Sequence, residues 1–426
     1  MGINEAFLSF LWQFRLFSRN LLQCAGGEEL RIIHPGWLNT HAGPDFMQAT
    51  LEIAGTRWVG NVEIHVRASD WFLHMHEQDK NYDSVVLHVV YDHDADVYRS
   101  NGTLIPAFEL KTIFDTRYLQ QYQQLIMERA QFPCAPQMRQ VDRLTVNGML
   151  ARVLADRLEH KAAEVLYQLK LLQGDWEATL YFFMARSFGF KVNTIPFELL
   201  AGSLRHSILV KHHSNPMQID ALVFGQSGLL DTAFNDTYPQ QLQAEYAYLQ
   251  KKWKLVPIDK TLWKFLRMRP ASFPTVRLAQ FAALMCKTPV LFAELLLCED
   301  LHRLQSIFAQ LQLAPYWNTH YTFTKITEQA HTRMGISSVN SILINAFCVV
   351  LYAYGAHTAE LLYKDRAIKF LEEMPAEHNH IVDQYKENGI GVENAFDSQA
   401  ILELNKSYCS QKKCLNCGIG VKLLKR

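Results

Sequence analysis

The sequence predicts an α+β protein in three parts: a β-rich first third, a long helical stretch and a small cysteine-rich end. Three observations predict this. Between residues 30 and 110 the apolar residues fall in short runs of β-branched or alternating character, SVVLHVVY at 84–91 being the clearest. From about residue 140 the apolar residues recur at helical spacing almost without interruption. The final stretch, YCSQKKCLNCGIGVKLLKR, departs from both, with three cysteines and no carboxylate after Glu403.

Taken in order, residues 4–19 place Phe7, Leu8, Phe10, Leu11, Phe14 and Phe17 on one helical face, and Gly26-Gly27 is expected to end that helix. A short strand follows at 30–33, then a turn at His34-Pro35-Gly36. The run 43–66, GPDFMQATLEIAGTRWVGNVEIHV, reads as two strands, 48–53 and 58–66, broken at Ala54-Gly55-Thr56. Ser69 is expected to cap a short helix bearing His74, His76 and Asp79. A strand at 84–91, an Asn101-Gly102 turn and a strand at 104–110 complete the β-rich part. Helices are then expected at 143–172, 176–188, 240–253, 276–297 and 340–354, punctuated by prolines and without a solenoid repeat. The linker 131–136 is the natural boundary, giving domains at 1–132, 138–404 and 405–426, the last a basic, cysteine-rich, metal-binding tail.

Composition narrows the function classes. Hydrophobic residues are 49% and aromatic residues 12% of the 426, as in a well-packed globular protein. No apolar run reaches the ~18 residues of a membrane span. The first residues lack a charged leader and a cleavage site, and Ala6 breaks the myristoylation pattern. Eight cysteines, five of them scattered, do not form a secreted disulfide framework, so a cytoplasmic location without membrane contact is expected. The charge balances at 42 basic and 42 acidic residues, which argues against a broad non-specific nucleic-acid binder. The distribution is uneven: residues 28–96 hold 12 acidic against 4 basic residues and 7 of the 17 histidines. Carboxylates and imidazoles gathered around a hairpin are the side chains a metal site requires.

Alternation along 58–66 puts Glu63 and His65 on one face and Val62, Ile64 and Val66 on the other. A hairpin brings Asp45, at the outer end of the preceding strand, towards the polar face. Asp45, Glu63 and His65 are therefore the candidate catalytic residues, the two carboxylates being suited to a hard divalent cation. Pro44-Asp45 followed by Glu63-Ile64-His65 resembles the PD-(D/E)XK nuclease superfamily, where a Pro-Asp opens one strand and Glu-any-Lys lies on the next. The resemblance implies a restriction-endonuclease-like α/β domain, with Asp45 and Glu63 holding magnesium or manganese. It also implies nucleic acid as the partner, with metal-dependent cleavage of DNA or RNA as the activity. The pattern departs at His65, which stands where the Lys would be. A neutral imidazole can take a proton from water or ligate a metal, so this departure fits a general base, a ligand or an inactive relative. The whole sequence also resembles a bacterial family of unknown function with the same GPDF and GNVEIH core, which implies no activity.

Other residues stand beside this set. His88 interrupts an apolar strand in phase with Val86 and Val90, as a hydrogen-bonded core residue or a partner of His65. His74 and His76 do not share a helical face, but in an extended segment they act together with Asp79. Glu28 and Glu29 are expected to be solvated, the alternative being a further acidic ligand. Cys409, Cys414 and Cys417, followed by Gly418, have the shape of a metal knuckle for zinc or an iron–sulfur cluster that lacks one ligand. Cys134 and Cys24 are the candidates for it, as are a His or a second subunit. Some iron–sulfur members of the nuclease superfamily use one early and three late cysteines, which implies Cys24 for that place. No phosphate loop, dinucleotide fingerprint or nucleophile elbow occurs, so no nucleotide cofactor is expected. The aromatic group at 316–321 is read as helix packing, with base stacking as the alternative. Against the nuclease stand two other readings. One is a non-catalytic scaffold that binds nucleic acid or protein; the other is a histidine-based metalloenzyme using His65, His74, His76 and His88.

Overall fold

A seven-stranded mixed sheet is the frame on which the candidate residues sit. In the computed structural model, which describes residues 2–18, 21–39 and 41–426, the chain is mixed α/β, with 56% helix and 12% strand. It divides into two compact units, Met1–Met149 with Asn405–Arg426, and Leu150–Leu404. The linker at 131–136 thus lies inside the first unit, to which the residues of the cysteine-rich tail also belong.

The first unit opens with α1 (Glu5–Phe14), capped by the Asn4 side chain, which accepts from the Phe7 N–H at 2.9 Å. Its apolar stripe, Phe7, Leu8, Phe10, Leu11 and Trp12, is buried. The helix stops earlier than its spacing suggests, because Arg15 turns into the left-handed region (φ 52°) and donates to the Ile33 carbonyl at 2.8 Å. Residue 19, at the end of the expected helix, lies outside the described residues.

The strands are β1 (Leu22–Gln23), β2 (Glu29–His34), β3 (Trp37–Leu38), β4 (Phe46–Ile53), β5 (Thr56–Arg67), β6 (Val85–Asp92) and β7 (Ala107–Glu109). They hydrogen-bond in the order β1-β2-β4-β5-β6-β7, with β3 also on β4. Pairing is antiparallel from β1 to β5 and parallel from β5 to β7. Ala54 and Gly55, both at positive φ, close the β4–β5 hairpin, matching the twist of its strands. A bulge between Phe46 and Ala49, where Gln48 has φ 57°, bends the outer end of β4. Val85 to Val90 are all buried, as in a parallel strand covered on both faces. Between β5 and β6 the chain forms α2 (Asp70–Leu73) and two 3₁₀ turns, His76–Gln78 and Lys80–Ser84. After β7 come α3 (Thr116–Met127) and α4 (Arg143–Leu171), which continues into the second unit.

The second unit is helical, as its periodicity predicts, with two local departures. The stretch expected as one helix over 276–297 is two, Pro274–Lys287 and Phe292–Leu297, with Pro289 in the gap. A short antiparallel pair, His320–Thr322 with Lys325–Ile326, was not legible. The aromatic group beside it packs inward: Trp317 is fully buried and stacks on Phe224 with ring centroids 5.3 Å apart. One helical stretch among the described residues, Ile336–Thr358, is long and apolar enough to cross a membrane, yet 72% of its most apolar window is buried within the protein.

Candidate metal centre

Strand register brings the first three residues together. Phe46 of β4 pairs with Val62 of β5, so Asp45 arrives beside Glu63. The Asp45 N–H donates to Glu63 Oε2 at 3.1 Å, and the Ile64 N–H donates to Asp45 Oδ2 at 3.0 Å. One oxygen of each carboxylate is thereby fixed by backbone. Val62 and Ile64 enter the core on the opposite face, but Glu63 and His65 are buried too, at 5% and 1% exposure. The segment 70–84 covers them.

That segment supplies two more imidazoles by a route different from the expected helix. Ser69 does not cap it; its N–H and hydroxyl bind Asp94 instead, at 2.8 and 2.7 Å. α2 ends after one turn because Met75 adopts a left-handed conformation (φ 58°, ψ 34°). Reversing the chain between His74 and His76 lets both rings face His65, with centroids 4.9 and 5.3 Å from it. Asp79 stays out of the group and caps the next turn, accepting from the Asn81 N–H.

Donor atoms of His65, His74 and His76 lie within 4.8 Å of one another. His65 Nε2 is 3.0 Å from His74 Nδ1. Glu63 Oε1 is 3.4 Å from His76 Nε2 and 3.7 Å from His65 Nε2. On the inner side His65 Nδ1 meets His88 Nε2 at 2.8 Å, as Glu63 and His88 pair across β5 and β6. When His65 donates from Nδ1, its Nε2 lone pair turns towards His74, His76 and Glu63. His88 Nδ1 is buried without a hydrogen-bond partner among the described residues. Trp71 and Tyr82 wall the group, Tyr82 stacking on His76 at 3.7 Å. His74 is exposed, so the cluster opens to solvent at that ring.

Among the described residues no Lys or Arg forms an ion pair with Asp45 or Glu63. Burial first, then His76 and His74, push the His65 imidazolium down to about 3, so the ring is neutral. Burial, and next the Glu63 carboxylate, hold the Asp45 carboxyl well above the usual range, with the Ile64 N–H opposing them. A third carboxylate faces the group from α1: Glu5 is raised by burial, with His74, Glu63, Asp70 and His76 as the charges acting on it. The neutral His65 ring, the ring nitrogens of His74 and His76 and the adjoining carboxyl groups form a donor set for a divalent cation.

The chain belongs to the family described as protein of unknown function DUF2851. The family model matches residues 5–380, a span that takes in the whole imidazole–carboxylate group with Glu5, together with Cys134. No curated protein and no solved structure matches the chain.

Glu28 and Glu29 are exposed; Glu28 bears instead on Cys24, whose thiol is pushed up to about 12 by burial first and that carboxylate second. Cys24 and Cys134 therefore differ in their surroundings. Burial, and then the sulfurs of Cys409, Cys417 and Cys414, push the Cys134 thiol far up. Glu5 was not legible from the sequence, and the joint action of His74 with His76, expected only of an extended segment, comes instead from a reversal at Met75. Glu5 is distant in the chain from Glu63, and no residue type at position 75 announces a chain reversal.

Proposed function

We propose that the first unit is a metal-dependent phosphodiesterase acting on nucleic acid. The observation that carries the reading is the meeting of Asp45, Glu63 and His65 at one end of adjoining strands, reachable from solvent past His74. Pro44-Asp45 just ahead of β4 and Glu63-Ile64-His65 on β5 follow the plan of the nuclease superfamily that the sequence resembles, and a restriction-endonuclease-like domain is part of this reading.

The donors fit a divalent ion. The His74 and His76 nitrogens lie close together with the Glu63 carboxylate beside His76, and a mixed set of two imidazoles and two carboxylates suits zinc or manganese better than magnesium. Asp45, Glu63, His74 and His76 would hold the ion, which would acidify water and polarise a phosphoryl oxygen. His65 Nε2, turned towards Glu63, would position the attacking water or take its proton, with Nδ1 held on His88. Trp71 and Tyr82 keep bulk water from the buried side. The scaffold-only reading needs a basic surface, and the tail keeps one, since among the described residues only Lys422 of its cations pairs with a carboxylate. Lys412 donates to the Ile126 carbonyl, Lys422 pairs with Asp142, Lys425 lies over Phe14 and Arg426 binds Gln140.

The test is cleavage of single-stranded, double-stranded and branched DNA and RNA with magnesium, manganese or zinc. Metal-dependent cutting is expected, abolished by Asp45→Ala and Glu63→Ala and reduced ~10²–10⁴-fold by His65→Ala. Absence of cutting by folded, metal-loaded protein would overturn the reading in favour of a binding scaffold.

A further inference from the structure

Four of the eight cysteines converge in the first unit, far from the strands that hold Asp45 in sequence and in chemistry. Cys134 sits in a tight turn, where the Ala135 N–H donates to the Phe132 carbonyl at 3.0 Å and the Gln137 N–H to the Cys134 carbonyl at 3.0 Å. The other three arrive from the C-terminal segment, more than 270 residues further along the chain. Cys409 closes the Asn405–Cys409 turn, and the Lys412 N–H donates back to its carbonyl at 3.1 Å. Lys412 itself is left-handed (φ 53°), which returns the chain towards Cys414. The Cys417 N–H then donates to the Cys414 carbonyl at 3.3 Å, and Cys417 leads into the helix Gly418–Leu424. All four line one small gap with Tyr408 and Lys413. Cys134, Cys414 and Cys417 are buried, and no disulfide joins any of the eight cysteines.

The surroundings hold this arrangement in place. A Cβ on Gly420 would collide with the Cys414 carbonyl, so only glycine lets the helix approach the turn so closely. The Gly418 N–H points to Met149 Sδ at 3.3 Å, fixing the start of that helix. The side chain of Lys412 reaches the Ile126 carbonyl, tying the tail to the end of α3. Four sulfurs brought together by the turn at residue 134 and by the C-terminal segment, without pairing as disulfides, make a set of soft donors. Lys413 beside them supplies positive charge against the excess negative charge of four thiolates.

We propose that Cys134, Cys409, Cys414 and Cys417 form a four-thiolate metal centre that fastens the C-terminus onto the first unit. The occupant is a soft metal, either one zinc ion or an iron–sulfur cluster, since both take four thiolates. Cys24, the other early cysteine, is not a ligand. The centre stands independently of the phosphodiesterase reading, because its donors are sulfur and those of the strand cluster are nitrogen and oxygen.

The experiment is elemental analysis, visible absorption and X-ray absorption at the zinc and iron edges. It uses the full-length protein and His76→Ala, in which the strand cluster is impaired. Samples are measured as purified and after anaerobic reconstitution with zinc, or with iron and sulfide. The expected result is a stoichiometric metal with sulfur ligation in both proteins. Zinc would show four sulfurs at about 2.3 Å; an iron–sulfur cluster would show iron, sulfide and visible absorption. Cys134→Ser and Cys417→Ser should each lower the sulfur-bound metal at least tenfold, and Cys24→Ser should leave it unchanged. Lack of any sulfur-ligated metal in the folded, reconstituted wild type would overturn the proposal, as would full retention in Cys134→Ser. The wild-type spectrum decides even where a variant fails to fold.

Discussion

At the scale of single residues, the chemistry depends on polar groups held out of water without neutralising partners. His65 is the clearest case: nearly sealed, neutral, and bonded to His88 on one side while it faces His74 and Glu63 on the other. A metal would turn that arrangement from a cost into a binding energy, because ligand lone pairs replace an uncompensated cluster. Elsewhere one buried carboxyl has no such relief. Asp220, in the helix Pro216–Gln226, accepts from the Tyr238 hydroxyl at 2.8 Å, yet burial raises its carboxyl to about 7. The fold therefore keeps a proton that the unfolded chain has released from about pH 4 upward. Its contribution to stability falls as pH rises through that window and levels off above about pH 7. Asp220→Asn removes the titration while an amide oxygen still accepts from Tyr238. Its stability relative to wild type should improve by about 2–3 kcal/mol between pH 5 and pH 8, read from urea midpoints at the two pH values. Equal differences at both would show that Asp220 ionises in the fold as freely as in water.

At the scale of elements, the site is set by register and by one chain reversal. The β4–β5 hairpin fixes which carboxylates meet, since a slip by one residue would send Glu63 and His65 to the other face. Met75 fixes which imidazoles join them. The parallel pairing of β5 with β6 then places His88 behind His65, and that pairing needs Gly60. A Cβ there would strike Val86 Cγ1 and the Ser84 carbonyl, where β6 begins. Gly60→Ala should destabilise the protein by ~1–3 kcal/mol, because a strand must shift rather than a flexible side chain. A urea titration checks this, and an unchanged midpoint would mean that the strands move apart at no cost.

At the scale of the whole molecule, the chain is two units, and the first is completed by its last residues. Residues 405–426 contribute Cys414, Leu415, Ile419, Leu423 and Leu424 to the interior. Each buried Leu or Ile is worth about 1.5–3 kcal/mol, so deleting 405–426 should cost the first unit several kcal/mol. Hydrogen–deuterium exchange is the measurement: amides of β4, β5 and β6 should exchange faster in the truncated protein. Unchanged protection there would show that the sheet does not depend on the tail.

The sequence by itself determined the elements and one pair of neighbours. Period-two alternation put Glu63 and His65 of β5 on one face, a continuous apolar run located β6, and helical periodicity located most of the second unit, because those signals are local. It also marked His88 and the Cys409, Cys414 and Cys417 group as out of place in their surroundings. Only the tertiary structure decided what meets what. Alternation does not say that the Glu63 face is covered, nor that Met75 reverses the chain so that His74 and His76 converge. It does not show that Glu5 approaches from α1, or that Cys134 rather than Cys24 joins the late cysteines. These contacts join residues distant along the chain. They arise from the packing of whole faces, which no short stretch of sequence records.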